Sequence, residues 1–131
     1  MGSKKTIMLV DDSKVSRLML KAIIENHFPD WHILEAENAA TALKISLYEN
    51  DNVDLITLDM NMPGTDGLTI APQLKNNCTQ AVIALLTGNV TKEVRAKAEQ
   101  QGLMFIAKPI TEDKVIEFVN SYNSPQGAKQ A

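Results

Sequence analysis

Polar side chains that could do chemistry together stand at four separate places in this sequence. Asp11 and Asp12 follow the apolar run TIMLV, Asp59 follows VDLITL, Thr87 follows AVIALL, and Lys108 follows a short fifth run. Carboxylates that converge repel one another and need a cation or a proton. Oxygen-only ligands favour a hard ion such as Mg²⁺. With a lysine and a hydroxyl beside the ion, such a site would neutralise and position a phosphoryl group.

Each of these residues comes directly after a predicted strand. The strands are predicted at residues 6–10, 31–36, 53–58, 81–86 and 103–107. Because they alternate with helical patterns, we predict an α/β protein, a three-layer doubly wound (βα)5 fold with a parallel five-stranded sheet. In such sheets, ligands bind beyond the carboxyl ends of the strands, where the strand order reverses. The flavodoxin-like order 2-1-3-4-5, which right-handed crossovers allow, would bring the residues after strands one and three together.

The intervening helices are predicted from apolar residues that recur on one face. In the first helix these residues are Val15, Leu18, Met19, Ala22 and Ile23. In the second helix, which Asn38 would cap, they are Ala39, Leu43 and Leu47. In the last helix, from about Thr111 to Tyr122, the inward residues are Val115, Phe118, Val119 and Tyr122.

Two other helices contain residues that break helices. Pro72 lies within the third helix and would remove a hydrogen bond, so we expect this helix to be short and to be kinked or delayed. The fourth helix is predicted from about Thr91 to Gln101, and Gly102 would end it as a left-handed cap.

Length and charge limit the class of protein. The 131 residues fit one domain, which we place at residues 1–123, with a disordered tail at 124–131. The net charge of −3 argues against nucleic acid or an anionic membrane as the main partner. No apolar run approaches the roughly 20 residues of a transmembrane helix, and we expect a cytoplasmic protein. Cys78, the single cysteine, lies in a polar stretch and is predicted to be a surface thiol.

Each polar residue also has an ordinary structural interpretation. Asp11 and Asp12 could cap the first helix, and Asp59 could serve the turn that follows it. Thr87 could be a capping hydroxyl, and Lys108 could be solvated surface. Their joint placement at four of five predicted strand ends favours one common site, because unrelated residues would be scattered along the chain.

From about Lys5 to Asn123, these motifs resemble the response-regulator receiver family. The resemblance rests on LVDDS at 9–13, LDMNMPG at 58–64 with DG at 66–67, LTG at 86–88, and KP at 108–109. It implies a single-domain, CheY-like protein of two-component or phosphorelay signalling. By this resemblance, Asp59 is the phosphoacceptor, Asp12 and Asp59 bind Mg²⁺ through their side chains, and Asn61 binds it through its backbone carbonyl. Asp11 would hold a metal-bound water.

The resemblance also implies a switch. Thr87 looks like the hydroxyl that moves toward the phosphoryl group, and Phe105 occupies the position of the switch aromatic. Such a movement would change the face made by helix four, strand five and helix five, although Phe105 could equally be a core aromatic. Lys108 resembles the family's lysine, with a cis peptide expected before Pro109, and Gly88 would leave room for a phosphodonor.

The expected partners follow from the same resemblance. A histidine kinase or a histidine phosphotransfer protein would supply the phosphoryl group, and a separate target protein would receive the signal, since we see no effector domain in the sequence. Partner specificity is expected in surface residues of the first helix: Ser13, Lys14, Arg17 and Lys21. We expect only self-phosphorylation and slow self-hydrolysis rather than enzymatic turnover.

Three other functions compete with this interpretation. A degenerate receiver would bind partners without phosphorylation, although the intact acidic set argues against it. A flavodoxin-like FMN protein would want a phosphate-binding loop after strand one, where Asp11 and Asp12 would repel the phosphate. An aspartate-nucleophile phosphatase typically carries a second Asp two residues after the nucleophile, and Asn61 stands there instead and cannot act as its acid or base.

Overall fold

A computed structural model describes residues 4–88 and 90–123 of the chain. Its central sheet has five parallel strands in the order β2-β1-β3-β4-β5, which confirms the predicted fold class and order. The strands are β1 (Thr6–Val10), β2 (His32–Ala36), β3 (Leu55–Asp59), β4 (Val82–Thr87) and β5 (Met104–Ala107). The helices are α1 (Lys14–His27), α2 (Ala39–Glu49), α3 (Gly67–Asn77), α4 (Lys92–Gln100) and α5 (Glu112–Asn123).

Two separate cores cover the two faces of the sheet. Strands β1 and β3 are buried along their whole length, as their continuous apolar runs predict for strands covered on both sides. Helices α1 and α5 close one face over Leu9 and Leu55, while α2, α3 and α4 close the other over Met8 and Ile56. The inward residues predicted for α5 are confirmed: Val115, Phe118 and Val119 are buried and Tyr122 is half-buried.

Helix α1 forms where it was predicted, but of the predicted stripe only Ile23 packs against the core among the described residues. Val15, Leu18 and Met19 are 66%, 53% and 43% exposed. The buried face consists of Arg17, Leu20 and Ile24. Because Leu20 and Ile24 form a second apolar face nearly opposite the predicted stripe, periodicity alone could not decide which face turns inward.

One residue of α2 and one residue directly after α3 are placed differently from what the sequence suggested. Leu47, predicted on one stripe of α2 with Ala39 and Leu43, is 62% exposed, whereas Ala39 and Leu43 pack against the core. Cys78, predicted at the surface, is fully buried, and its Sγ donates a weak hydrogen bond to the backbone oxygen of buried Ser46 at 3.8 Å. Asn77 Nδ2 donates to Ser46 Oγ at 2.8 Å, so neighbouring side chains satisfy the polar groups that surround the thiol.

The prediction of a short third helix is wrong, since α3 continues through Pro72 for 11 residues. Pro72 has no N–H for the carbonyl of Leu68, four residues earlier. Gln101 Nε2 donates to that oxygen at 3.4 Å instead, so a side chain replaces the missing backbone donor. Gly102 adopts φ 74° just after α4, as predicted for its left-handed cap.

The disordered tail predicted at 124–131 lies outside the described residues. Among the helices described, none combines the length and the apolarity that crossing a bilayer requires.

Candidate functional site

Three carboxylates converge at the carboxyl ends of β1 and β3. One oxygen from each of Asp11, Asp12 and Asp59 lies within 4.8 Å of the others. Asp11 is fully buried, Asp59 is 2% exposed, and Asp12 is open to solvent. Since β1 and β3 are paired neighbours, the strand order itself brings together residues that are almost 50 positions apart in sequence.

The donor set suits a hard divalent cation. Asp11 Oδ1 accepts a hydrogen bond from the Ser13 amide at 2.9 Å, whereas Asp11 Oδ2 is buried and accepts none from the described residues. A buried carboxylate oxygen without a partner is costly. A site built from carboxylate oxygens with one open, solvated side fits the coordination that Mg²⁺ adopts in proteins.

Asp59 is the most electrostatically constrained member of the cluster. Burial, followed by the negative charge of Asp11, raises its pKa to about 6, and hydrogen bonding to Lys108 opposes that rise. Its Oδ1 accepts hydrogen bonds from Lys108 Nζ at 3.2 Å and from the Asn61 amide at 3.3 Å. At neutral pH the carboxylate is therefore mostly ionised, and the residues that surround it hold one of its oxygens in place.

Lys108 reaches the cluster from the end of β5. Its amide donates to the carbonyl of Thr87 at 2.9 Å, which extends the β4–β5 pairing by one residue. The Lys108–Pro109 peptide is cis, as predicted. The Lys108 side chain is 35% exposed, so its ammonium group lies between solvent and the buried carboxylate of Asp59.

Thr87 and Gly88 form the β4 side of the site. Thr87 is buried and directly follows Leu86, which is the register partner of Asp59 across β3 and β4. Gly88 is exposed, and among the described residues a Cβ built on it would meet only Lys108 Cβ, at 3.8 Å. The described residues therefore leave the approach to the site open on this side.

The loop after Asp59 is held by a small hairpin that pairs Asn61–Met62 with Thr65–Asp66. Asn61 is exposed. Asp66 caps α3 by accepting from the Thr69 amide at 2.8 Å. Gly67 packs so closely on the end of β3 that an added Cβ would lie 2.8 Å from the backbone oxygen of Asp59. The Asp66-Gly67 motif thus packs against the backbone of Asp59 and supports it, and it is not part of the acidic cluster.

Phe105 lies apart from the cluster, on β5. It is half-buried, and the guanidinium of Arg95 on α4 lies 5.3 Å from the centre of its ring. Such a distance is typical of a cation–π contact. Met104, beside it, is 39% exposed, so this edge of the sheet presents apolar surface between α4 and α5.

Arg17 is a residue whose place the sequence did not reveal. We predicted it at the surface, yet it is 9% exposed. Its Nη1 donates to the backbone oxygen of Asp11 at 2.6 Å and its Nε to Glu35 Oε1 at 2.9 Å. The spacing of Arg17 with Leu20 and Ile24, at i, i+3 and i+7, was the only available signal that it faces inward.

Comparison with known proteins agrees with the motifs. Residues 7–120 match the family model of the response regulator receiver domain. The chain is 35% identical over 116 residues to the chemotaxis protein CheY of Bacillus subtilis, covering 87% of this chain and 93% of that protein. It is also 31% identical over 117 residues to the chemotaxis protein CheY of Halobacterium salinarum, covering 88% and 94% of the two chains.

Solved structures share the fold at lower identity. A CheY-like response regulator receiver domain protein from Methanospirillum hungatei superposes with a TM-score of 0.85 at 21% identity, covering 97% of this chain and 99% of that one. CheY in the CheX–CheY–BeF3–Mg²⁺ complex of Borrelia burgdorferi gives a TM-score of 0.80 at 24% identity, covering 89% and 87%.

Proposed function

The chain belongs to the response regulator receiver domain family, and from that membership we propose that it is a phosphorylation-activated switch of a two-component or phosphorelay system. The observation that carries the proposal is the convergence of Asp11, Asp12 and Asp59 at the carboxyl ends of β1 and β3, with Lys108 hydrogen-bonded to Asp59. A group of charges placed this way costs stability, and a chemical role accounts for it better than a structural one.

In the proposed reaction, an Asp59 carboxylate oxygen attacks the phosphorus of a phosphoryl donor. The bond from phosphorus to the donor breaks, and an acyl phosphate forms on Asp59. Lys108 stabilises the charge of the transferred group from its place beside Asp59. Asp59 must be ionised to attack, and a pKa of about 6 allows this at neutral pH.

By the chain's membership of the family, four residues would hold Mg²⁺. Asp12 and Asp59 would bind it through their side chains, Asn61 through its backbone carbonyl, and Asp11 through a water molecule that its unpartnered oxygen would accept from. When bound, Mg²⁺ supplies positive charge to the phosphoryl oxygens. The protein's part is to fix the carboxylates before the donor arrives.

The signal would pass from Thr87 to Phe105. A phosphoryl group on Asp59 offers an acceptor to the Thr87 hydroxyl, and the phosphorylated state would favour a second packing of Phe105. In the packing described here, the guanidinium of Arg95 lies 5.3 Å from the centre of the Phe105 ring. Output would then depend on the surface formed by α4, β5 and α5, where Met104 is already exposed.

The proposed partners are identified by their roles in phosphoryl transfer and signalling. A histidine kinase or a histidine phosphotransfer protein would be the donor, and a downstream protein would be the target, without direct nucleic-acid binding or membrane insertion. The chain would catalyse only its own phosphorylation and its slow hydrolysis. A cytoplasmic location belongs to the same proposal.

Phosphorylation by a small donor tests the proposal. The protein is incubated with Mg²⁺ and acetyl phosphate, and intact mass spectrometry follows the addition of one phosphoryl group. We expect a single addition in the wild type and none in Asp59→Asn or with EDTA. If the folded wild type gains no phosphoryl group with any small donor, the alternative of a phosphorylation-independent interaction module is preferred.

A further inference from the structure

The guanidinium of Arg17 is a buried cation to which the proposed reaction assigns no role. It extends from the inner face of α1 and connects two elements: the backbone of Asp11 after β1, and the carboxylate of Glu35 in β2. A buried arginine needs good partners to offset its desolvation. Its hydrogen bond to the Glu35 carboxylate is charge-assisted, and its hydrogen bond to the Asp11 carbonyl is short. Hydrogen bonds of this kind are strong.

The same contacts immobilise the start of the β1–α1 loop. The Asp11 amide donates to the Ala36 carbonyl at 3.0 Å, its own carbonyl accepts from Arg17 at 2.6 Å, and its Oδ1 accepts from the Ser13 amide at 2.9 Å. The first two of these hydrogen bonds fix the Asp11 backbone, and the third restricts the direction of its side chain. Because Asp12 is the next residue, the same backbone contacts also restrict its position.

Glu35 completes the attachment. Its carboxylate accepts from Arg17 Nε at 2.9 Å and lies 3.5 Å from Lys21 Nζ, and hydrogen bonding to Arg17 is the main cause that lowers its pKa. Glu35 is therefore ionised under ordinary conditions. It holds the guanidinium by one edge while another nitrogen reaches Asp11.

The sign of the charge distinguishes two possible effects of Arg17. A positive charge near an acidic cluster opposes the binding of a cation, so an effect through charge alone would make Mg²⁺ bind more tightly when Arg17 is removed. An effect through position would make it bind more weakly, because the carboxylates would lose their arrangement. The two effects predict opposite changes.

We propose that Arg17 is a positioning residue of the Mg²⁺ site, which holds the Asp11 backbone and thereby aims the carboxylates of Asp11 and Asp12. This inference rests on the proposed function and deepens it. Residues that orient metal ligands typically change metal affinity by about 10- to 100-fold when they are replaced. We therefore expect Arg17→Met to weaken Mg²⁺ binding by about tenfold.

The experiment is a Mg²⁺ titration of the full chain followed by ¹H–¹⁵N NMR, with the amides of Asp12, Ser13 and Met60 as reporters. Lys21→Met is the matched control, since it removes an equal charge from the same Glu35 carboxylate, and among the described residues Lys21 makes no hydrogen bond to the loop. We expect Lys21→Met to bind Mg²⁺ at least as tightly as the wild type. The metal-free spectrum should change at Asp11 and Asp12 in Arg17→Met only.

A second substitution of Arg17 tests the positioning role independently of Arg17→Met. Arg17→Lys keeps the charge but lacks the planar fork that reaches Asp11 and Glu35 together, and we expect an affinity between those of Arg17→Met and the wild type. Urea unfolding of each variant identifies any that is not folded, and a destabilised Leu20→Ala, from the same buried face, should keep the wild-type Mg²⁺ affinity.

The outcomes separate the two proposals. If Arg17→Met and Arg17→Lys bind Mg²⁺ as tightly as Lys21→Met, the positioning role is overturned while the phosphorylation of the wild type at Asp59 still stands. If the wild type itself binds no Mg²⁺ and gains no phosphoryl group, the proposed function fails and the inference fails with it.

Discussion

Lys108 Nζ lies 3.2 Å from Asp59 Oδ1, although 49 positions separate the two residues in the sequence. The contact crosses the end of β4, from β5 to β3, and joins a half-exposed ammonium group to a buried carboxylate. It favours the ionised form of Asp59, against the burial and the Asp11 charge that raise the pKa of Asp59 to about 6.

Removal of the Lys108 ammonium should impair phosphorylation. In Lys108→Met, we expect the pKa of Asp59 to rise further and the rate of phosphorylation by acetyl phosphate to fall by about 10²-fold or more, the usual cost of losing one group that stabilises developing charge. Stopped mass-spectrometric time courses measure the rate. Lys114→Met is the control, because Lys114 Nζ binds the carbonyls of Ala107 and Pro109 and not Asp59. Equal rates in the two variants would contradict a role for Lys108.

The carboxylate of Asp59 should destabilise the metal-free protein at neutral pH. The folded pKa is about 6 and the ordinary value is 3.8, so the folded state holds its proton more tightly than the unfolded state. The contribution of Asp59 to stability is then greatest below pH 4, falls as the pH rises from about 4 to 6, and stays lower above that range. In EDTA at pH 7.5, we expect Asp59→Asn to raise the free energy of unfolding by about 1–3 kcal/mol.

Urea unfolding at several pH values measures this effect. The advantage of Asp59→Asn should shrink as the pH falls toward 4, where the wild-type carboxyl is protonated. Asp12→Asn, at an exposed position of the same cluster, should change stability much less. An Asp59→Asn protein that is less stable than the wild type at pH 7.5 would show that the ion pair with Lys108 outweighs the cost of burial.

Much of the fold and of the candidate site could be predicted from the sequence, because both depend on order along the chain. Continuous apolar runs fix parallel strands, and the residues that follow β1 and β3 must meet if those strands pair. The prediction did not depend on which face of each helix packs against the sheet. The placement of Asp11 and Asp59 at strand ends therefore followed from pattern, whereas the pairing of β1 with β3 was taken from the flavodoxin-like strand order.

The errors concern helix orientation and single side chains. Arg17 and Val15 lie on nearly opposite faces of α1, and only packing against β1 and β2 decides that the arginine is buried and the valine is exposed. Cys78 follows polar residues in sequence but lies under Ser46 of another helix. Pro72 did not shorten α3, because the long-range donor Gln101 meets the carbonyl that Pro72 leaves unpaired. Such contacts are tertiary, and local sequence contains no record of them.

Gly67 and Gly88 should respond in opposite ways to an added methyl group. A Cβ at position 67 would lie 2.8 Å from the Asp59 backbone oxygen and 2.9 Å from Leu85 Cδ2. We expect Gly67→Ala to cost about 1–3 kcal/mol of stability, as overpacking does, and to slow phosphorylation by moving Asp59. Gly88→Ala should leave stability nearly unchanged, since only Lys108 Cβ lies within reach. Thermal unfolding of the pair measures the difference, and similar losses would contradict the close packing at Gly67.

Thr57 is a candidate for stabilisation. It is fully buried in β3, and its hydroxyl has no hydrogen-bond partner among the described residues. Replacing a buried polar group that makes no hydrogen bond with an isosteric apolar one should be favourable. We expect Thr57→Val to raise the free energy of unfolding by about 1 kcal/mol. Thr57→Ser is the control: it keeps the hydroxyl, loses the methyl group and should destabilise the protein. A destabilised Thr57→Val would mean that the hydroxyl has a partner after all.

The buried thiol of Cys78 should react slowly. Burial, and then the charge of Asp51, raises its pKa to about 11 from the ordinary 9.0. Since only the thiolate is nucleophilic, alkylation by iodoacetamide at pH 8 should be at least about one hundredfold slower than for an exposed cysteine, and urea should abolish the difference.

The matched control for that thiol moves it by one residue to an exposed position, in the double variant Cys78→Ala and Thr79→Cys. Alkylation is followed by mass spectrometry in the native state and in urea. If native Cys78 reacts as fast as the control thiol, the α2–α3 interface must open readily, and its burial against Ser46 would not persist in solution. If it reacts only as the protein unfolds, alkylation also reports how often this interface opens, and a change in that rate after phosphorylation of Asp59 would show that the switch reaches α3.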